Sequence, residues 1–176
     1  KKALEIIDSC GIEAMITTSP PHSVQLIGRK VAKKRSIRWI ADFRDPWTNI
    51  FYYDQLGHSA LSKAIDKNLE QKVLSEADAI TTVSWGFKDL FGRKVPERNA
   101  NDIVVIPNGI DRALSAWKER ESSEIFRMVY TGMLTDLYEI EPFLQAVKAY
   151  NSMVRLPQIE FDFFGSVSNS YRRNLE

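Results

Sequence analysis

The stretch from Trp39 to Trp47, WIADFRDPW, gathers the side chains of this chain best suited to chemistry. Arg38 to Ala41 reads as a short buried strand, and the run then ends in Asp42, Arg44, Asp45 and Pro46. Open α/β sheets bind their ligands just outside the carboxyl ends of their strands, so acids at that point are candidate site residues. Pro46 lacks a backbone donor and pushes Asp45 out of helical geometry, which forces the chain to leave the sheet there. Asp42, Arg44 and Asp45 are therefore expected to carry function. The residues by themselves leave a second reading open, in which Arg44 pairs with one of the aspartates and fixes a loop.

The elements that must position these groups follow from periodicity. An amphipathic helix opens the chain, with Leu4, Ile6 and Ile7 on one side, and a strand covers Ala14 to Thr17. Ser19-Pro20-Pro21-His22 ends that strand, because consecutive prolines cannot continue a ladder. Ser19 is either a helix cap or a site residue, and His22 reads as a loop or helix-start histidine. Ser23 to Arg35 is a helix whose apolar stripe is Val24, Ile27 and Val31. Its other face carries Arg29, Lys30, Lys33, Lys34 and Arg35, with Arg38 close behind, as either a solvated face or a surface for anionic lipid headgroups.

Beyond the acidic stretch, Ile50 to Tyr53 is an aromatic cluster, either a lid over a pocket or packing. A helix runs from about Ser59 to Glu76 with Leu61, Ile65, Leu69 and Val73 at steps of four. Ala79 to Val83 is a β-branched strand, Ser84 caps a helix from Trp85 to Phe91, and Asp102 to Ile106 is a strand closed by a Pro107-Asn108-Gly109 turn. Strands alternating with helices predict right-handed βαβ units and a parallel sheet.

The rhythm breaks between Arg112 and Glu124. Lys1 to Pro107 is net +3, whereas Asn108 to Glu176 is net −2, which supports a boundary there. Ile125 to Thr131, Glu141 to about Met153 and Ile159 to Phe164 then form one further βαβ unit, ending in Gly165. About fifty residues are too few for an independent α/β core, so this second domain is expected to be cut off. The first residue, Lys1, already lies within a helical pattern, and an internal fragment is the expectation.

Composition sets outer bounds. At 44% hydrophobic and 27% charged, the chain has the make-up of a folded globular protein. Its 24 basic and 23 acidic residues give no global case for nucleic-acid binding. The single Cys10 fits no metal-ligand pattern and forms no internal disulfide, as in a reducing cytoplasm. No apolar run approaches the ~20 residues that span a bilayer.

Five segments in order, TTSPPHS (17–23), DFRDPW (42–47), SEADAITTVSWGFKDLF (75–91), IPNGID (106–111) and VYTG (129–132), resemble family 4 of the retaining glycosyltransferases, which have the two-domain GT-B fold. The resemblance implies an acceptor-side Rossmann-like domain over 1–111, a linker over 112–124, and over 125–176 the start of a nucleotide-sugar-binding domain. It implies transfer of a sugar from a nucleotide diphosphate sugar to a glycan or lipid-linked acceptor with retention of configuration, and no metal or other cofactor. It also implies a cytoplasmic location, with possible peripheral contact with the inner, anionic face of a membrane. Pro21, His22, Asp42, Arg44 and Asp45 become acceptor-side candidates, while Gly132, Met133 and Gly165 become donor-side candidates; catalytic residues stay unassigned. Such an enzyme stabilises an oxocarbenium-like sugar and a departing diphosphate, so Asp42 and Asp45 are not read as a glycosidase pair.

The chain also departs from the family pattern. The glycine-rich loop expected after the first strand of the N-terminal domain is not found before Ala14, and the E-x7-E motif does not appear. Relatives often carry Arg and Lys just after the glycine of VYTG to hold the donor diphosphate. Here Met133 to Glu141 has three acids and no base, which would repel one. Arg172 and Arg173 are alternative cations. The competing readings are a non-catalytic GT-B-like module that binds a glycan or a partner, and a sugar-nucleotide epimerase. On the transferase and module readings alike, Asn108 and Gly109 serve backbone geometry at the entry to the crossover.

Overall fold

The computed structural model describes residues 1–110, 124–153 and 157–175, the last three of these by their backbone. The chain forms two compact units, Lys1–Arg112 and Ala113–Glu176. Of the linker read over 112–124, only Glu124 lies among the described residues.

The first unit runs α1 (Lys2–Cys10), β1 (Ala14–Ser19), α2 (Ser23–Arg35), β2 (Arg38–Phe43), α3 (Ala60–Glu76), β3 (Ala79–Thr82), α4 (Trp85–Lys94) and β4 (Ile103–Val105). Its four strands are all parallel, in the order β1-β2-β3-β4. This is an α/β unit with a parallel sheet flanked by helices, compatible with a Rossmann-like fold. Crossovers of one hand in sequential order place α2, α3 and α4 on a single face, and these helices touch one another in that order. Burial alternates accordingly. Trp39, Ala41, Phe43, Ile80 and Ile103 face the helices and are at most 1% exposed, whereas Ile16 and Val104 on the other face are 65% and 43% exposed.

The core is a single cluster around Trp39, Phe43, Phe91, Val73, Leu74 and Ile80. Gly28 lets α2 settle onto it: a Cβ there would lie 2.6 Å from both Thr17 Cγ2 and Trp39 Nε1. Because the contact is centred on Gly28, the buried stripe of α2 is Gln25, Gly28 and Val31, and Ile27 is 57% exposed. The sequence-based stripe of Val24, Ile27 and Val31 is thus rotated by about one residue. A similar correction applies to α3. The core engages it only from Leu69 onward, through Glu70, Val73 and Leu74, and leaves Leu61 and Ile65 exposed. In α1, Ile7 is buried while Ile6 points outward.

Local rules account for the helix ends. Ser59 and Ser84 each accept a hydrogen bond from the backbone N–H three residues on, Ser62 and Phe87, at 3.2 Å. The end of α3 is closed from afar: the Arg98 guanidinium donates to the carbonyls of Leu74, Ala77 and Asp78 at 2.7–2.9 Å. The aromatic cluster divides. Tyr53 is buried and donates to Asp66 at 2.8 Å, and burial, reinforced by that carboxylate, pushes its hydroxyl up to about 12. Phe51 is 62% exposed.

Three of the five basic side chains of α2 are paired within the fold. Arg29 makes a two-pronged contact with Glu76 at 2.7 Å and Lys33 joins the same carboxylate, while Arg35 grips Asp8. Hydrogen bonding from Arg29, helped by Lys33, holds Glu76 at about 2.

The second unit contains β5 (Ile125–Thr131), α5 (Glu141–Met153), β6 (Gln158–Phe164) and α6 (Asn169–Leu175). β5 and β6 are parallel neighbours, as the βαβ pattern requires. The Asn151 side chain ties α5 to β6 by donating to and accepting from the Ile159 backbone, at 2.9 and 2.8 Å. Phe143 of α5 packs edge-on against Phe161 and partly covers an aromatic sheet face, leaving a recess of about 730 Å³. On the opposite face Arg127 pairs with Glu160 and Asp162. Among the described residues no helix is long and apolar enough to cross a membrane.

Candidate functional site

At the carboxyl edge of the first sheet, three loops converge: Pro20 to His22 after β1, Arg44 to Trp47 after β2, and Ile106 to Gly109 after β4. The order of these strands does not reverse, so the described sheet has no topological switch point. The strand ends themselves define the site.

A buried polar bracket fixes the first two loops. Gln25, in the first turn of α2, is fully buried, and its amide donates to the Thr17 carbonyl, the Ser19 hydroxyl and the Asp42 carbonyl at 2.8–3.1 Å. Its Oε1 accepts from the Thr17 hydroxyl, which in turn accepts from the Trp39 indole N–H at 2.7 Å. Every partner is satisfied, which makes this a rigid anchor rather than a liability. Sequence reasoning missed Gln25. A glutamine four residues past a proline pair, in the first turn of the following helix, was the available signal. The peptide bonds before Pro20 and Pro21 are both cis, and Ser19 serves in the bracket instead of capping α2.

β2 extends to Phe43, two residues further than its sequence suggests, because its pairing with β1 and β3 continues that far. Asp42 therefore lies inside the strand rather than beyond it. Strand alternation then divides the candidates. Phe43 enters the helix-covered core, while Asp42 and Arg44 project to the other side and line a cleft of about 350 Å³ with Val83, Ile106, Pro107 and Asn108.

The second reading of Arg44, paired with one of the aspartates, is not what forms among the described residues. Arg44 donates from Nη2 to Asn108 Oδ1 at 2.6 Å, and Asp42 Oδ1 accepts from the Thr81 hydroxyl at 2.6 Å. Asn108 contributes a side chain as well as backbone, and residues 106–110 take no hydrogen-bonded turn. The turn signal of Pro107-Asn108-Gly109 fails because the asparagine, which would otherwise cap its own turn, is drawn to Arg44.

His22 lies on the helix-covered side. Its ring stacks on Trp47 at 5.4 Å and 11°, with Phe43 behind at 6.1 Å. Nδ1 is buried and has no hydrogen-bond partner among the described residues. Burial pulls its pKa below the usual 6.5, against the upward influence of Glu70, Asp45 and Asp66, so the ring is neutral at neutral pH. Asp45 is thus close enough to be felt by His22, yet its carboxylate has no hydrogen bond or ion pair among the described residues. Pro21 is exposed at the tip of the loop. The edge accordingly offers two chemistries: a neutral imidazole on an aromatic platform beside a free carboxylate, and a polar cleft of Asp42, Arg44 and Asn108.

In the second unit the strand ends are arranged differently. Gly132 and Gly165, both at positive φ (150° and 143°), sit back to back, and a Cβ on Gly165 would fall 1.9 Å from the Gly132 carbonyl oxygen. The crossing of the two backbones accounts for both glycines. Met133 is 66% exposed, and its carbonyl accepts from the Tyr130 hydroxyl at 3.1 Å. Asp136 is engaged by Ser170, and hydrogen bonding from Ser168 and Ser170 holds its carboxyl below the usual value. Arg172 is exposed on α6, and the side chain of Arg173 lies outside the described residues.

No protein-family model matches this chain, and no curated protein matches its sequence.

Proposed function

We propose that the chain is part of a retaining glycosyltransferase of the GT-B type, with its acceptor side at the carboxyl edge of the first sheet. The observation that carries this reading is the convergence at that edge of the loops that bear the family-like motifs, PPH, FRDPW and PNG. Among the described residues they leave Asp45 without a hydrogen-bond or ion-pair partner, beside a neutral His22.

Each group has a role on this reading. The Asp45 carboxylate accepts hydrogen bonds from acceptor hydroxyls and orients one of them for attack. His22, neutral through burial, donates or accepts one hydrogen bond without introducing a charge beside the sugar. The buried Trp47 ring beneath it holds the imidazole in place by stacking. The Asp42–Thr81 and Arg44–Asn108 pairs hold the adjoining cleft in shape. The donor phosphate takes the proton of the attacking hydroxyl as the sugar–phosphate bond breaks and the new glycosidic bond forms on the same face.

The test is Asp45→Asn in the full-length protein, with transfer to acceptor and hydrolysis of the donor measured separately. Transfer is expected to fall much more than hydrolysis; equal losses would remove Asp45 from the acceptor side.

The acids after Gly132 favour a second reading, a GT-B-like module that binds a glycan or a partner without catalysis. Asp136 already occupies the hydroxyls of Ser168 and Ser170, and Met133 to Glu141 supplies no cation for a diphosphate. Calorimetric titration with nucleoside diphosphates separates the two: saturable binding supports the transferase, and its absence alongside glycan binding supports the module.

A further inference from the structure

A second polar recess, of about 500 Å³, lies between α3 and α4 and is lined by Thr48, Asn49, Lys67, Glu70, Arg93 and Lys94 among others. It shares no lining residue with the cleft of Asp42 and Arg44. We infer that this recess binds a phosphomonoester dianion, with Lys94 as a fixed cation and Lys67 and Arg93 as the two that close on the ligand.

Charge bookkeeping within the recess supports the assignment. Glu70 is 1% exposed, and its carboxylate is already satisfied by the Trp47 backbone N–H at 3.3 Å, the Thr48 hydroxyl at 2.5 Å and Lys94 Nζ at 2.5 Å. A buried acid held this way neutralises one lysine and locks its position. Lys94 also donates to the Thr48 hydroxyl at 3.0 Å, which leaves one of its three protons free. Lys67 and Arg93 have no hydrogen bond or ion pair among the described residues, in contrast to Arg29, Lys33 and Arg35 on α2. The recess therefore carries two positive charges in excess, matching a phosphomonoester dianion, and Arg93 presents a planar fork suited to two phosphate oxygens. The volume exceeds that of a bare phosphate and leaves room for a small polar body. A soluble sugar or glycerol phosphate and a phosphatidic-acid headgroup share this chemistry. The inference is independent of the sugar-transfer reading, because none of the three cations that hold the phosphate has a role there.

The test is an NMR titration of the chain with glycerol 3-phosphate, with glycerol as the neutral control. Saturable shifts are expected at the amides of Thr48, Asn49 and Arg93. The Lys67→Glu/Arg93→Glu double variant, with its spectrum otherwise intact, is expected to bind about tenfold or more weakly. Lys30→Glu/Lys34→Glu on α2 should bind as the parent does. Flotation with phosphatidic-acid vesicles forms the second arm. Loss of vesicle binding in the first variant but not the second assigns the site to a lipid headgroup, and a response confined to glycerol 3-phosphate assigns it to a free phosphate. No response in either arm, or equal weakening by both double variants, overturns the site.

Discussion

The two units of this chain end their parallel strands in opposite ways. In the first, the loops after β1, β2 and β4 are held by side chains: Gln25 spans two strands, Arg44 reaches Asn108, and Thr81 meets Asp42. In the second, the ends of β5 and β6 are held by bare backbone, Gly132 against Gly165, with Leu134 paired to Val167 just beyond. The first arrangement consumes amides and hydroxyls and leaves an acid and an imidazole available. The second ties up Asp136, the acid nearest the crossing, which is bound to the serines at the start of α6. Side-chain bracing thus frees charged groups for a ligand, whereas the glycine crossing brings two strands together and offers little charge of its own.

Five substitutions bear on that contrast. The largest effect is expected from Gly165→Ala, which forces a Cβ onto the Gly132 carbonyl at a backbone angle that L residues rarely adopt. We expect a loss of about 3 kcal/mol or more in the second unit. Amide hydrogen exchange should show the loss confined to β5 and β6; protection unchanged in both strands would mean that the crossing is not what holds them.

Next is Gln25→Leu, which keeps the volume but strips the bracket of its donors. Stability of the first unit is expected to fall by about 3 kcal/mol, because the Ser19 hydroxyl and the Asp42 carbonyl lose the amide donor and the Thr17 hydroxyl loses its acceptor. Urea unfolding monitored by amide hydrogen exchange of β1 and β2 measures it. A change below about 0.5 kcal/mol would show that surface-type polar contacts, not a buried network, join the loops. Gly28→Ala is a smaller version of the same test, expected to cost about 1–3 kcal/mol by overpacking against Thr17 and Trp39.

The smallest effects are protonation shifts. His22 should titrate by NMR below 6.5, since burial disfavours its imidazolium. The unfolded chain takes up that proton first, so His22 contributes a loss of stability as pH falls below 6.5 and no loss above it. Asp45→Asn removes an attraction for the imidazolium and should lower the midpoint further; an unmoved midpoint would separate the two residues. In the second unit, Ser170→Ala should raise the Asp136 midpoint toward its ordinary value, while the same measurement on Glu76, held at about 2 by Arg29 and Lys33, stays put. Glu76 works in the sense usual for a carboxylate. Its contribution to stability is complete above about 4.5 and disappears as pH falls through about 2.

Much of the fold was legible in the sequence, and the misses are instructive. The span of α2, β5 and α5 and the capping by Ser84 follow from periodicity and local hydrogen bonding. The facing of those elements did not follow. Ile27, Leu61 and Ile65 fit helical stripes yet lie exposed, because the apolar pattern does not state which part of a helix reaches the sheet. At the site, Asp42, Arg44, Asp45 and His22 all come to one sheet edge, but the sequence could not show that β2 continues to Phe43 and so sends Asp42 and Phe43 to opposite sides.

The sequence by itself determined the alternation of strands and helices, the break after the fourth strand, and the placing of the DFRDPW and PPH motifs at strand ends, because these depend on spacing and on proline chemistry a few residues away. Only the tertiary structure decided which partners the charged groups take. Arg44 chose Asn108, 64 positions along the chain, over either neighbouring aspartate, and α2 gave up half of its basic face to Glu76 and Asp8. Such choices depend on which strand ends come within a few ångströms of each other, a property of the sheet order that no local stretch contains.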